Sequence, residues 1–354
     1  MRLLLFLAPL LLSSCATTNY LLESGAGQWR LSNRSRSLED VANSPYSDDK
    51  TRHAIRLVMS AREFAKKDLG LKVKGNFTHF VTINGSCVLF AVSAADPLEL
   101  KERKWKFPLL ADLPSLGFFQ KNSAEAAVAR MESGELPRPD TWLRCVPAFS
   151  SLGWFPDFLY SSMLAGRDRE IVDTLLHETL HATIWVPGRE DFNEKLANFV
   201  AQEGSLLFIN NSYGKFALQI ARREVRGEQI FGEFLHLREI EYKAKVHDLL
   251  GKVEFYRTLR QEYGKFLEEK HRNGLDFVDY PASFERWNNA AFLSYLNYYS
   301  DYSIFTRMLQ VCNGNLVCFV RWIALEQKKD PKNFQNAPEK FLAARMATSS
   351  DSAN

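Results

Sequence analysis

Apolar residues recur at helical spacing along much of the chain, and the clearest run lies near its middle. Its apolar positions are three to four residues apart, which predicts a largely buried helix: Ile171, Val172, Leu175, Leu176, Leu180 and Ile184. Pro187-Gly188 is a stop signal that ends this helix. A second helix begins directly afterwards, with Asp191 as its cap and Glu194 three residues on. The sequence therefore predicts two consecutive helices within residues 168–209.

Strand-like patterning is confined to the part of the chain before about residue 165. Phe77 to Ile83 and Cys87 to Val92 are rich in β-forming residues and flank Asn84-Gly85, a pair typical of a hairpin turn. Thr141 to Phe149 is predicted to form a further strand, shortly before the helix pair. These runs predict a small antiparallel sheet that packs beside the two helices.

The remainder of the chain is predominantly helical in pattern. Residues 212–346 are predicted to form charged, amphipathic helices with favourable pairs one turn apart, and residues 347–354 a disordered tail. We therefore predict an α+β fold, mainly helical, in a single domain that spans residues 15–346. The 354 residues carry 45 Lys and Arg against 42 Asp and Glu, and this near balance gives no support for a nucleic-acid partner.

The first fifteen residues have the pattern of an export signal. Met1-Arg2 is basic, Leu3 to Leu12 is apolar but too short to span a bilayer, and Leu12-Ser13-Ser14-Cys15 resembles a bacterial lipobox. Residues 1–14 are then a signal peptide, and Cys15 carries the lipid that anchors the protein to a membrane. An ordinary signal peptide with a chance cysteine is the alternative. Since residue 16 is alanine and not aspartate, we expect the outer membrane of the bacterial envelope, facing the periplasm.

Four further cysteines fit an oxidising compartment, where an even number favours disulfides. Cys312 and Cys318 flank Asn313-Gly314-Asn315, a turn signal, and are predicted to pair. Cys87 and Cys145 lie in separate strand-like stretches and could bridge neighbouring strands. Because no C-x-x-C is present, a zinc site built from cysteines is not expected.

The first of the two central helices contains the sequence His177-Glu178-Thr179-Leu180-His181, an H-E-x-x-H motif. Residues four apart lie on one face of a helix, so both imidazoles can bind one Zn²⁺, and the glutamate can take a proton from a water on the metal. The motif is short enough to occur by chance. The apolar flanks argue against chance, because unpaired buried histidines and a glutamate are costly and a metal supplies their partner.

Glu194, on the first turn of the second helix, is the candidate for the third zinc ligand. Catalytic zinc sites commonly use three protein ligands and leave one position for water. The alternative is that Glu194 simply complements the positive end of the helix dipole.

The strand and loop before the helix pair are a candidate substrate site. A sheet edge strand in this place can pair with the backbone of a peptide substrate. The residues that would line the cleft are Ala148, Phe149, Ser150, Trp154 and Phe155. Plain core packing of the two aromatic side chains is equally compatible with the sequence.

Several of these stretches together resemble the bacterial family of predicted zinc-dependent aminopeptidases, usually lipoproteins, within the wider H-E-x-x-H zincin group. The matching stretches include Gly27-Gln28, Arg62-Glu63-Phe64-Ala65, Leu69-Gly70-Leu71, Leu98-Glu99-Leu100, Trp105-Lys106-Phe107-Pro108, Leu116-Gly117-Phe118-Phe119, Val146 to Phe155, His177 to His181, Phe192-Asn193-Glu194, Phe199 to Gly204 and Asn288-Asn289-Ala290.

The resemblance implies a zincin fold of the gluzincin type with Glu194 as third ligand. In better-known gluzincins an aspartate four residues after this ligand orients a zinc-bound histidine. The chain has Asn198 there, whose amide oxygen can accept an imidazole N–H but brings no charge.

Further site residues are expected from the C-terminal half and from scattered acids. Tyr298 or Tyr299 is the candidate that donates to the oxyanion of the transition state, with aromatic core packing as the alternative. Asn288 and Asn289 could cap a helix or bind substrate backbone. An aminopeptidase needs an acid to hold the free amine of its substrate, and Glu203 or Asp157 could serve.

The sequence thus predicts zinc-dependent peptide hydrolysis in the cell envelope, most simply by an aminopeptidase with Zn²⁺ as cofactor. Two alternatives remain open at this point. One is an endopeptidase or a peptidoglycan-peptide hydrolase with the same zinc site. The other is a non-catalytic envelope lipoprotein that contains zinc.

Overall fold

The computed structural model describes residues 15–106, 113–134, 136–148, 156–275, 286–297 and 302–351. Helices dominate these residues, as predicted, and a small amount of sheet accompanies them. The helices are α1 Cys15–Arg34, α2 Leu38–Ala42, α3 Asp49–Lys67, α4 Lys121–Glu132, α5 Asp168–His181, α6 Glu190–Lys245, α7 Leu249–Arg272, α8 Asn289–Leu296, α9 Ser303–Val311, α10 Leu316–Lys329, α11 Pro331–Asn336 and α12 Pro338–Asp351. The strands are β1 Arg36–Ser37, β2 His79–Val81, β3 Leu89–Ala95, β4 Ser115–Phe118, β5 Asp140–Val146 and β6 Leu159–Tyr160.

The strands form two three-stranded sheets, where the sequence predicted one. One sheet has the order β4-β3-β5 and is antiparallel throughout. The other has the order β1-β2-β6, and β2 runs parallel to β6. The predicted hairpin around Asn84-Gly85 is therefore wrong, since β2 and β3 belong to different sheets. Gly85 does have the positive φ of a turn, but each flanking strand finds its partners far away in sequence.

Two disulfides tie local parts of the fold together, and they join the pairs that the sequence suggested. Cys87 precedes β3 and bridges to Cys145 on β5, with 5.2 Å between their Cα atoms. Cys312 and Cys318 close the turn between α9 and α10, with 5.8 Å between their Cα atoms. The first bond crosses two adjacent strands of the antiparallel sheet, and the second fixes the angle between two helices.

The central core forms where α5 packs against α3 and the first part of α6. Asp48 caps α3 by accepting from Thr51 N–H at 2.6 Å, and Gly70 follows the helix with a φ of 68°. Contact between α5 and α6 is close because Gly204 faces Leu176, and a Cβ at residue 204 would lie 2.8 Å from a methyl carbon of that leucine. Leu176 directly precedes the H-E-x-x-H motif, so this contact helps to set its position.

Beyond the central core, α6 breaks at Gly214, whose φ is 81°, and its second part carries a separate aromatic cluster with α7 and α8. The last four helices return to the central core through Phe305, Phe319, Phe334 and Leu342, each fully buried. Helix α12 extends to Asp351, so residues 347–351 are helical where the sequence predicted a disordered tail.

No single helix among the described residues is long and apolar enough to cross a membrane. The bent pair Ser303–Val311 and Leu316–Lys329, at 107° to each other, reaches that length and composition only when taken together.

Candidate active site

Helix α5 holds the H-E-x-x-H motif with its histidines on one face. Its start is fixed by Glu170, whose carboxylate accepts from the backbone N–H of Arg167 at 2.9 Å. Leu175, Leu176 and Leu180 are buried in the central core and therefore set the rotation of the helix. Because these leucines face the core, His177 and His181 lie side by side toward α6. Glu178 is half-buried.

The turn that follows α5 brings the first turn of α6 back toward the histidines, and Asn193 holds that turn. Its amide oxygen accepts from Val186 N–H and its amide nitrogen donates to the Val186 carbonyl, both at 2.9 Å. Asn193 is buried and uses both ends of its side chain in this way. The sequence offered Asn193 only as the neighbour of Glu194, and the structure gives it the role of positioning that residue.

Three side chains converge between α5 and α6: His177, His181 and Glu194. Their ligand atoms all lie within 4.8 Å of one another. The two Nε2 atoms are 3.0 Å apart. That of His177 is 3.3 Å from Oε2 of Glu194, and that of His181 is 3.3 Å from Oε1. Ligands at 2.0–2.1 Å from a tetrahedral Zn²⁺ are about 3.3–3.4 Å apart, so the donor set fits this ion in both chemistry and spacing.

Glu194 is the most exposed member of the group. The side chains of His177 and His181 are 16% and 10% exposed, whereas that of Glu194 is 45% exposed. Two imidazole nitrogens that face each other in a buried place need a shared partner. The exposed flank next to Glu194 is where water or substrate can approach.

Charges at this group are strongly coupled. Burial would lower the pKa of His177, but the hydrogen bond that its ring donates to Glu194 and the charges of Glu178, Glu194 and Asp173 raise it to about 9. Partial burial would raise the pKa of Glu194, but both histidines hold that pKa well below its usual range. Glu194 is thus an ionised carboxylate, as a metal ligand must be.

One further acid acts on His177 from its own helix. Asp173, one turn earlier on α5, is among the acids whose charge raises the pKa of His177. Asn198, predicted for this place, instead forms a hydrogen bond with the Tyr302 hydroxyl. His181 differs from His177, since its Nδ1 is buried without a hydrogen-bond partner among the described residues and its ring packs edge-on against Trp185. Sequence reasoning expected this carboxylate four residues after Glu194, where the chain has Asn198. It therefore did not assign Asp173.

Glu178 shares its surroundings with Tyr160 and Asp157. Burial and then the charges of Asp157 and Glu178 raise the pKa of the Tyr160 hydroxyl, which places both carboxylates near that oxygen. Asp157 is itself buried. Of the two acids suggested for binding a substrate amine, Asp157 is the one whose charge acts on the same hydroxyl as that of Glu178.

The sequence model of the family described as "Putative aminopeptidase" matches residues 19–337. The chain belongs to this family. No match was found among the curated proteins or among the solved structures. The family name indicates a peptidase and hence a peptide substrate.

Two of the residues predicted to bind substrate form hydrogen bonds within the protein, and a third lies away from the ligand group. Glu203 follows Glu194 by nine residues, about two and a half helical turns, and so lies on the opposite face of α6. Asn288 caps α8 by accepting from Ala291 N–H and donates to the Thr141 carbonyl. Asn289 is fully buried and bonds to Tyr256, Asp140, Asp96 and Glu99. The polar groups of Asn288 and Asn289 are thus hydrogen-bonded within the protein.

Of the remaining predicted site residues, some lie within the described ranges and others lie outside them. Ala148 is half-buried against the central core, just after the edge strand β5. Phe149, Ser150, Trp154, Phe155, Tyr298 and Tyr299 lie outside the described residues, as does the signal peptide at residues 1–14. Their predicted roles in substrate binding, oxyanion stabilisation and export stay predictions. Cys15 is the first residue of α1.

Proposed function

We propose that the protein is a zinc-dependent aminopeptidase with a zincin-like fold. The observation that carries this proposal is the convergence of His177, His181 and Glu194 with ligand-atom separations of 3.0–3.3 Å. Within the described parts of the chain, no fourth His, Cys, Asp or Glu joins the group. Three protein ligands with a position left for water are typical of catalytic zinc, whereas structural zinc is enclosed by four. This favours an enzyme over a non-catalytic zinc protein.

His177, His181 and Glu194 would hold the ion, and Glu178 would carry the proton. When bound, zinc would polarise the scissile carbonyl and lower the pKa of the attacking water. Glu178 accepts the proton of that water on a carboxylate oxygen and then donates it to the departing amine nitrogen. Its position directly after His177, outside the ligand group, leaves its carboxylate available for this transfer.

Aminopeptidase activity, as opposed to endopeptidase or peptidoglycan-peptide hydrolase activity, requires an acid that holds the substrate's free amine. Asp157 is a buried carboxylate beside Tyr160 and near Glu178, and such a group can pair with an ammonium. The family match supports the same choice.

The test is a measurement of metal content together with hydrolysis of an amino-acid anilide panel before and after chelation. We expect zinc in the purified protein, loss of hydrolysis after chelation and recovery when zinc is restored. N-acetylated versions of the same anilides should be poor substrates. Equal hydrolysis of free and acetylated substrates would assign an endopeptidase, and unchanged hydrolysis in the chelated, zinc-free protein would contradict zinc dependence.

We further propose that the protein is a lipid-anchored component of the bacterial envelope. The lipobox-like sequence before Cys15 supports this, and two disulfides suit an oxidising compartment. Cys15→Ser should move the protein from the membrane fraction to the soluble fraction of lysed cells. The same fractionation of a Cys87→Ser variant is the control, since that cysteine lies within the folded domain. Continued membrane attachment of Cys15→Ser would sink the anchor proposal.

A further inference from the structure

One face of helix α1 presents large apolar side chains to the surroundings. Leu22 and Trp29 are each 66% exposed, and Leu21 beside them is 45% exposed. Leu22 and Trp29 are seven residues apart, which is nearly two full helical turns, so they lie on one stripe along the helix. Apolar side chains that are grouped in this way on a surface are typical of a contact with a partner or a membrane.

The same stripe contains the position of the proposed lipid. Cys15 is the first residue of α1, seven residues before Leu22 and fourteen before Trp29. A step of seven residues turns a helix by about 20° less than two full turns, so the three positions stay on one side of it. The stripe is about 21 Å long at 1.5 Å per residue. A membrane that holds residue 15 is therefore on the side of the helix that carries Leu22 and Trp29.

The opposite face of α1 is fixed to the folded domain. Leu31 is buried in the central core. Gly27 lies so close to Phe119 that a Cβ at residue 27 would be 2.0 Å from a ring carbon. Tyr20 packs edge-on against Phe118, with 5.3 Å between the ring centroids. These contacts set the rotation of α1, so Leu22 and Trp29 stay on the outside.

The charges of α1 suit a lipid surface. Arg30 and Arg34 are exposed. Glu23 is the one acidic residue of the helix, and its carboxylate accepts from Gln120 N–H at 3.2 Å, on the side of the folded domain. Exposed arginines next to apolar side chains can pair with anionic lipid headgroups, and tryptophan favours the boundary between headgroups and acyl chains.

We propose that α1 lies along the membrane surface, with Leu22 and Trp29 inserted at the boundary between lipid headgroups and acyl chains. The inference rests on the proposed lipid anchor at Cys15: the lipid supplies the attachment, and the stripe sets the orientation of the folded domain. Two apolar side chains are too small a membrane contact to retain a protein by themselves. The release of Cys15→Ser from membranes is therefore still expected.

The test attaches the anchor chemically, so its result does not depend on lipidation in the cell. The chain has five cysteines, of which four form disulfides, and the mature chain starting at Cys15 can be coupled through that thiol to a maleimide lipid. The vesicles contain phosphatidylethanolamine and phosphatidylglycerol with brominated acyl chains, and bromine quenches the fluorescence of a tryptophan in contact with the chains. We expect a fraction of the tryptophan emission to be quenched, and Trp29→Phe to lower that fraction to about one third or less of the wild-type value.

Trp322→Phe is the matched control for the loss of a fluorophore. Trp322 is a partly buried residue of α10 that packs against the central core, so its replacement should leave the quenched fraction near the wild-type value. Equal quenching in the wild type and in Trp29→Phe would overturn the inference. Absence of a lipid on Cys15 in cells would count against the anchor proposal alone, because the coupled protein carries its lipid in either case.

Leu22→Glu tests the stripe without removing a fluorophore. It places a charge at the membrane boundary and should lower the quenched fraction to about half or less. Leu250→Glu, at an 81% exposed position on α7, is its control and should not change the fraction. Thermal unfolding verifies that the variants are folded. A dimer of the uncoupled protein in gel filtration that Leu22→Glu dissociates would assign the stripe to a second copy of the chain and refute the membrane contact.

Discussion

Replacing Glu178 by glutamine should lower kcat for peptide hydrolysis by about 10²–10⁴-fold while the zinc content stays unchanged. The amide has nearly the same shape as the carboxylate but cannot accept the proton of the attacking water. Because Glu178 does not belong to the ligand group of His177, His181 and Glu194, its loss removes no donor from the metal. Steady-state kinetics on an amino-acid anilide and metal analysis of the same preparation measure the two quantities together.

Glu203→Gln is the matched control for this experiment. Glu203 lies on α6, as Glu194 does. It is nine residues farther along and therefore on the opposite face of that helix. We expect activity within about twofold of the wild type, since a conservative change on the opposite face of the helix leaves the ligand group and Glu178 in place. If Glu178→Gln retained full activity, the proposed proton transfer would be wrong. If Glu203→Gln lost as much activity as Glu178→Gln, the assignment of faces on α6 would need revision.

Replacing Glu194 by glutamine should remove most of the bound zinc and, with it, the activity. The carboxylate supplies the only negative charge among the three ligands, and both of its oxygens lie 3.3 Å from an imidazole nitrogen. Loss of an ion present at a thousand times its Kd also removes about 4 kcal/mol of folding free energy, so the thermal transition should fall as well. Metal analysis after gel filtration and thermal unfolding with and without added zinc provide the measurement.

Asp173→Asn provides a graded comparison with Glu194→Gln. Asp173 is not a ligand, but its charge acts on His177 from one turn away. Loss of such a supporting carboxylate typically weakens metal affinity by about 10–100-fold. We therefore expect Asp173→Asn to bind zinc more weakly than the wild type and more tightly than Glu194→Gln. Full zinc in Glu194→Gln would mean that this residue only complements the helix dipole, as the alternative reading of the sequence held.

Local sequence was enough to predict the helix pair and the three convergent side chains. The spacing of Leu175, Leu176 and Leu180 fixes the buried face of α5, and helical periodicity then places His177 and His181 together on another face. Helix α5 ends at His181, six residues before the predicted stop at Pro187-Gly188, and the connection of residues 182–189 leaves Glu194 near the histidines. Each of these signals acts within a few residues, so no distant contact was required.

Tertiary contacts decided the features that depend on partners distant in sequence. Strands β2 and β3 flank a turn but pair with other strands, because long-range packing outweighs the local hairpin signal. Asn289 could equally have bound substrate or protein, and only the fold shows that four protein groups surround it.

The same division holds at the candidate site. The sequence by itself determined the donor atoms, because two helical turns and a tight connection fix their order and spacing. Only the fold brought Glu224 and Glu228, on the second part of α6, into ion pairs with Arg169 on α5. The break at Gly214 makes this possible, since it ends the straight course of α6 and allows its second part to take a different direction.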